Sequence, residues 1–567
     1  MINYLDFKNA RCKDCYKCLR ECPVKSIRFE NHQARIIENR CILCGKCTLV
    51  CPQDAKKVHS EADDVKSLIN SGNKVIASVA PSFISSFKTD DFASMRNALK
   101  KLGFYDADET SIGAKAVTEE YKKLLDTGEF KNFITSACPA VNRMIQLYYP
   151  EALKYLAPVD TPMIAHAKIL KKEHPECKVV FIGPCIAKKR EAHESGIVDG
   201  VLTFEDLAEM LRDKGIIIAS ASVDDGGDEI NKAKYYPISR GIIKSFESLA
   251  AGYEYVAVDG TTKCREVLEN IENLSGMFLE LNSCDYACVN GPCSLIKNGG
   301  AVEANADIRR YAVKGTSSVR KIPNDIDFSF EYKKIEPNIK TVTEKEITEI
   351  LAKTGKTKPE DELNCGACGY STCREKAWAV ANGFADIEMC VPYMRERAES
   401  MSYEIIQNSP NGIIILDNDY KILELNQKAK RMLGIDVACP EGQVAFDCFD
   451  AVDFVMAGEQ KKNVYGKRIY VQKSKMYVEM SIIFLKAQNV MFAVMKDITE
   501  KKEYEDRLNS VKLETLSTTD EVIKKQMRVA QEIASLLGET TAETKVALLK
   551  LKNTLQNDGQ ENGEEIK

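Results

Sequence analysis

The sequence predicts a multidomain α/β protein. Cysteine-rich modules stand on either side of a central domain of alternating strands and helices, and an α+β domain with a helical tail follows. Three observations lead there. At 567 residues the chain is too long for one hydrophobic core and suggests three to five domains. Most of its 21 cysteines fall in short, ordered spacings, which in a reducing compartment point to metal rather than disulfides. Past the last spacing, from about residue 400, the apolar pattern changes to period two and then to a helical stripe.

Composition narrows the function classes. The chain is 44% hydrophobic and 29% charged, as soluble globular proteins are. A net charge of −5 gives no basic face for nucleic acid. The opening MINYLDFKNARCKDC has no apolar core of a secretory signal. Apolar runs such as NGIIILD (411–417) are strand-length, so no membrane span is expected. A cytoplasmic, reducing setting is the expectation.

Residues 1–60 carry two runs of the form C-x2-C-x2-C-x3-C-P. They are Cys12, Cys15, Cys18, Cys22 with Pro23, and Cys41, Cys44, Cys47, Cys51 with Pro52. In this spacing three thiolates hold one [4Fe-4S] cube and the fourth reaches its neighbour. Cys12, Cys15, Cys18 and Cys51 are expected on one cluster, and Cys41, Cys44, Cys47 and Cys22 on the other. Zinc or free thiols are the competing reading; two full copies with the proline in register weigh against it. The module resembles bacterial two-cluster ferredoxins, which implies single-electron transfer.

Residues 70–320 alternate short apolar runs with helical segments. KVIASVAP (74–81), FKNFITSACP (130–139) and CKVVFIGPC (177–185) read as buried strands, and FEDLAEMLRDKG (204–215) as a helix. Ligands of such folds gather at strand ends. Two of these ends deliver Cys138 and Cys185, and the loop LELNSCDYACVNGPC delivers Cys284 and Cys288. Each cysteine alone is more often a small core residue. Together they resemble the three signature segments of [FeFe]-hydrogenases: Thr135-Ser136-Ala137-Cys138-Pro139-Ala140-Val141; Gly183-Pro184-Cys185 with Lys188 and Glu191; and Glu280, Asn282, Cys284, Ala287, Cys288 and Gly291.

That resemblance implies that Cys138, Cys185, Cys284 and Cys288 hold a [4Fe-4S] cube, with Cys288 bridging to a two-iron unit carrying CO and cyanide. It makes Lys188 the donor to one cyanide, and Lys188 and Glu191 the expected catalytic residues. Ala80, Pro81 and Ser82 become the cradle of the other. A cation beside a buried anion is physically sensible. The departures are equally informative. Ala137 stands where the family has a proton-relaying cysteine, and alanine carries no transferable proton. Gly183 and Asn282 replace two methionines, and Val141 a tryptophan. The acids Glu119 and Glu120 are present in an altered order. Cys293 is a substitute relay or, on the plainer reading, a packing cysteine. Slow turnover is expected.

Residues 340–398 contain NCGACGYSTCREKAWAVANGFADIEMC, with Cys365, Cys368, Cys373 and Cys390 spaced C-x2-C-x4-C-x16-C. The segment resembles a small four-cysteine [4Fe-4S] domain; zinc is the alternative. Before it, EYKKIEPNIKTVTEKEITE reads as a connector and a solvated helix. Cys177, Cys264, Cys293, Cys439 and Cys448 remain without a metal-like spacing.

Residues 399–500 begin with a helix and a hairpin around Asp417-Asn418-Asp419. A helix at Leu425-Asn426-Gln427 and alternating strands follow, up to Asp497-Ile498-Thr499. The order resembles a PAS sensory domain. The region has no histidine for haem. Residues 501–567 hold two helical stretches, one striped by Ile523, Met527, Ala530, Ile533 and Leu537. They also hold a possible cap at residues 540–543 and a polar tail. Such stripes serve packing or dimerisation.

The whole order resembles sensory [FeFe]-hydrogenases. That implies H2 and protons as substrates, ferredoxin or another redox partner, a homodimer through the PAS domain or tail, and a separate kinase or phosphatase as signalling partner. A working hydrogenase with an unusual proton path, and a redox sensor without the two-iron unit, are the alternatives.

Overall fold

The computed structural model describes residues 4–7, 11–30, 32–219, 230–296, 299–314, 322–323, 325–337, 339–436, 441–486, 488–537 and 546–550. Cys439, residues 540–543 and the polar tail lie outside them. The chain divides into two compact units, residues 1–394 and 395–567.

In the first unit the two cysteine runs sit on a pair of small antiparallel ribbons. β1 (Leu5–Phe7) pairs with β4 (Lys56–Val58), and β2 (Ile27–Glu30) with β3 (Gln33–Ile36). The central domain is two parallel sheets. One has the order β6-β5-β8-β9: β5 (Val75–Val79), β6 (Asp106–Glu109), β8 (Lys178–Gly183) and β9 (Gly200–Thr203). The other has the order β10-β11-β7: β7 (Asn132–Ile134), β10 (Glu254–Asp259) and β11 (Met277–Asn282). All five residues of β5 are buried, as expected of a central parallel strand covered on both faces. This is why β5, β7 and β8 were readable as short continuous apolar runs.

The four-cysteine segment contributes helices rather than strands. Glu344–Lys353 opens with a Thr343–Glu346 capping box, and Cys373–Ala381 is capped by Thr372. One apolar cluster joins Leu19 and Cys22 of the N-terminal module, Val141 and Leu279 of the central domain, and Tyr370 and Met389 of the four-cysteine segment. These three regions therefore fold as one body.

The second unit is a five-stranded antiparallel sheet of order β13-β12-β16-β15-β14. Its strands are β12 (Gly412–Leu416), β13 (Ile422–Leu425), β14 (Val464–Val471), β15 (Met476–Leu485) and β16 (Val490–Asp497). The hairpin pairs Ile414 with Leu425. Asn426 is fully buried; its amide donates to Ile406 O and Asn411 O and accepts from the Ile413 and Ala429 N–H groups. It thereby fixes both the hairpin and the start of the helix Gln427–Leu433.

One expectation changes. The two helical stretches after β16 are a single helix, Thr499–Leu537. Ser517-Thr518-Thr519 looked like a break. The hydroxyls of Thr515, Thr518 and Thr519 instead bond the carbonyls of Val511, Glu514 and Thr515 one turn back, and the helix continues. Among the described residues no helix is long and apolar enough to cross a membrane.

Candidate metal centre

Every residue of the candidate centre leaves the C-terminal end of a parallel strand. After β5 come Ala80, Pro81 and Ser82; after β7, Ala137 and Cys138; after β8, Pro184 and Cys185; at the end of β11, Asn282, and after it Cys284 and Cys288. All of these, with Lys188, line one cavity. The extended backbone of Cys138 ends β7 and starts the helix Pro139–Tyr148, with proline at its first position. Asn142 donates to Ser136 O at 2.7 Å, and the Tyr121 hydroxyl accepts from Ser136 N–H at 2.8 Å. The loop before Cys138 is therefore held from both sides. Cys288 follows Tyr286 and Ala287, both in the left-handed region at φ 63° and 60°.

Burial makes bare thiolates costly at these four cysteines. Burial, then the neighbouring thiols, raises the thiol of Cys185 to about 11 and that of Cys288 further. Burial likewise raises Cys138 and Cys284. Among the described residues no three such side chains stand close enough to hold a metal ion as they are, but the four cysteines line one cavity, and thiolates brought together there would need compensating positive charge, which an iron cube supplies. Lys188 is nearly buried; its ammonium donates to Thr161 Oγ1 at 2.8 Å and to Glu191 Oε2 at 2.7 Å. Glu191 itself lines a neighbouring cavity and reaches the centre through Lys188. The Ser82 hydroxyl is 1% exposed and has no hydrogen-bond partner in the structure. A buried, unspent donor in the same cavity as a buried ammonium fits small anionic ligands such as cyanide.

The departures have structural counterparts. A Cβ at Gly183 would stand 2.7 Å from the ring of Phe181. Phe181 lines the cavity. Asn282 turns its amide to Asp259 Oδ1 at 3.1 Å. Val141 is fully buried in the apolar cluster shared with the N-terminal module. Cys293 is fully buried in a small core with Leu5, Cys41 and Ile186, which favours its packing reading. Glu119 is exposed and Glu120 pairs with Lys123 at 2.6 Å.

The other cysteine sets also come together. The charges that act on Cys18 include Cys12 and Cys51, and those on Cys47 include Cys41, Cys44 and Cys22. Lys56 acts on both Cys18 and Cys47, and Cys15 is exposed at the surface. Leu43 and Cys44 form part of the central cavity wall, and a Cβ at Gly45 would lie 2.5 Å from Pro292. The second ferredoxin-type loop thus presses directly on the candidate centre. Cys365, Cys368, Cys373 and Cys390 line one pocket with Lys356 and Lys376.

These lysines were missed in the sequence, where they look like ordinary surface charges. Both are nearly buried, and Lys356 Nζ lies 3.5 Å from Cys390 Sγ. Burial lowers the Lys376 ammonium against the pull of Cys390 and Cys368. Lys56 is similarly buried beside Cys18, whose thiol outweighs the burial and raises the ammonium. The only signal for them in the sequence is their nearness to the cysteine runs.

Comparison with known proteins places these features. The family described as the iron-only hydrogenase large subunit, C-terminal domain, matches residues 73–292. A 4Fe-4S dicluster domain matches 11–55, an Fe–S cluster family 361–392, and a PAS domain 400–464. Iron hydrogenase 1 of Clostridium pasteurianum is 26% identical over 349 residues, 52% of this chain; the chain spans 59% of that relative's length. The periplasmic [Fe] hydrogenase large subunit of Nitratidesulfovibrio vulgaris is 27% identical over 367 residues, 57% of this chain and 80% of the relative. A solved [FeFe]-hydrogenase from Chlamydomonas reinhardtii aligns with TM-score 0.39 and 13% identity, over 49% of this chain and 99% of that one. These matches support an iron-only hydrogenase large-subunit-like domain alongside dicluster ferredoxin, Fe–S cluster and PAS domains, and iron–sulfur cofactors.

Proposed function

We propose that this chain is an [FeFe]-hydrogenase-like sensor of H2 or redox state that turns over slowly and signals through its PAS domain. The carrying observation is the cavity itself. Four cysteines from three strand ends surround it with a buried Lys188 and an unspent Ser82 hydroxyl, while the relay position is Ala137. Cys138, Cys185, Cys284 and Cys288 would hold a [4Fe-4S] cube, and Lys188, Ser82 and the Ala80–Pro81 backbone would seat a two-iron CO/cyanide unit. When bound, that unit supplies the H2 chemistry.

Two ferredoxin-type clusters, on the two cysteine runs, would carry electrons, and the one held by Cys22, Cys41, Cys44 and Cys47 would face the centre. A further cluster on Cys365, Cys368, Cys373 and Cys390 would extend this chain of centres. Ferredoxin or a similar carrier is the proposed redox partner. A reducing compartment such as the cytoplasm is part of this proposal, because the cysteine runs are read as cluster ligands. The helix Thr499–Leu537 exposes Leu508, Val511, Val522, Val529 and Ile533, a surface for dimerisation and for a kinase or phosphatase partner.

The test is an infrared spectrum of the anaerobically matured full chain before and after H2. CO and cyanide stretches that shift with H2 support the reading. Their absence, under maturation that loads a control hydrogenase, leaves a cluster-only redox sensor.

A further inference from the structure

Ala137 leaves the cavity without a proton donor at the relay position, but another residue of its wall carries one. Thr110 lines the cavity. Its hydroxyl lies 2.8 Å from Ser78 Oγ, and Ser78 Oγ lies 2.7 Å from His166 Nδ1. The other ring nitrogen, Nε2, faces Asp108 Oδ2 at 3.7 Å and makes no hydrogen bond. His166 is 0% exposed and Ser78 0%, whereas the Asp108 side chain is 12% exposed. These groups therefore form a line from the cavity wall through the core to a carboxylate at the edge.

The placement is built in by the fold. Ser78 is on β5 two residues before the Ala80–Pro81–Ser82 cradle, Asp108 and Thr110 are on and just after β6, and His166 is on the helix Pro162–Glu173. That helix crosses the helix Ser111–Asp126 so closely that a Cβ on Gly113 would lie 2.6 Å from His166. The neighbouring acid Glu109 is occupied elsewhere: it accepts from the Tyr311 hydroxyl, and Lys234 lies over the Tyr311 ring. Asp108 is the charge that faces the imidazole.

We propose that Asp108, His166, Ser78 and Thr110 form a proton lead into the cavity, serving in place of the thiol missing at position 137; this rests on the function proposed above. Histidine is the side chain whose ordinary titration lies nearest neutrality, and hydroxyls pass protons by giving one and taking one. In each transfer His166 Nδ1 gives its proton to Ser78 Oγ. Ser78 passes its own to Thr110 Oγ1, and Thr110 releases one toward the cavity. Nε2 takes a proton from the Asp108 side, and the ring returns to its Nδ1–H tautomer before the next transfer; no electrons move. A purely structural histidine would need the Ser78 bond but not the continuation to Thr110.

The test uses the matured full chain with its infrared bands as the reporter. After flash reduction, the rate at which the CO and cyanide stretches move to their protonated-state positions measures proton arrival without measuring turnover. Thr110→Val should slow that rate at least tenfold, and Thr110→Ser should restore it. His166→Gln should slow it by a similar factor. Should the His166 variant fail to fold, Thr110→Val, a near-isosteric change on the cavity wall, still decides. An unchanged rate in Thr110→Val with all bands present overturns the lead and leaves the proposed function standing. Absence of the bands in the unmutated protein overturns both.

Discussion

Ser82→Ala should have opposite effects in the protein with and without a ligand in the cavity. The Ser82 hydroxyl is 1% exposed and unpartnered, and an unsatisfied buried polar group costs about 1–3 kcal/mol. Removing one oxygen forfeits little packing, because alanine fills most of serine's volume. In cluster-bearing protein lacking the two-iron unit, the substitution should therefore stabilise the segment 80–87 by about 1 kcal/mol, the lower end of that cost. Amide exchange there should slow about fivefold, at about 1.4 kcal/mol per decade. In matured protein the same change removes a donor to an anion, and exchange should quicken by a similar factor. Hydrogen-exchange mass spectrometry on both forms reads the two signs. Faster exchange in the unmatured variant would mean that Ser82 already has a partner, and would refute the assignment of its hydroxyl to a ligand.

Three further outcomes follow from other residues. Ala137→Cys restores an ionisable group on the cavity wall and should raise H2 turnover by roughly ten- to a hundredfold, below the general range for acid–base groups, because the His166 lead already delivers protons; unchanged turnover in loaded protein would count against a deficit at position 137. Asp106 is held down at about 2: burial alone would raise it, but two hydrogen bonds from Arg96, one from the Ala107 N–H and one from Lys100 outweigh that. Since its folded pKa lies below the unfolded value, the pair stabilises above about pH 4 and loses that contribution as pH falls through 2. Arg96→Ala should then cost about 1–2 kcal/mol at pH 7 and close to nothing at pH 2, by denaturant titration at each pH. Ala287 sits at φ 60°, where a Cβ costs about 1–2 kcal/mol. Ala287→Gly should net about 0.5 kcal/mol of stability after glycine's own entropy loss, visible as slower exchange across residues 284–291.

Much of the centre was legible before any coordinates. Cys138 and Cys185 follow short apolar runs that become β7 and β8, because strands buried on both faces carry no polar alternation. The N-terminal sets were legible because each spacing wraps a single loop. What escaped the sequence depends on long-range packing. Ser78 and His166 are 88 residues apart, and nothing local links them. Gly45 reads as a turn residue, yet its closeness to Pro292 brings the second ferredoxin-type loop onto the cavity wall. Lys356 and Lys376 read as solvated charges and are buried against cysteines. Arg40 gave no signal at all; its guanidinium lies 5.1 Å from the Trp378 ring, 5.2 Å from Phe384 and 5.9 Å from Tyr148, joining the N-terminal module to both neighbours. The helix through Ser517-Thr518-Thr519 was misread as two because hydroxyl-bearing residues suggest a break unless their side chains bond back along the helix.

The most direct measurement is infrared spectroscopy of the matured full chain under argon and then under H2. CO and cyanide stretches that appear and shift with H2, together with turnover well below that of a control hydrogenase, are the predicted result. A matured protein that carries its iron–sulfur clusters but shows no such bands would contradict the account.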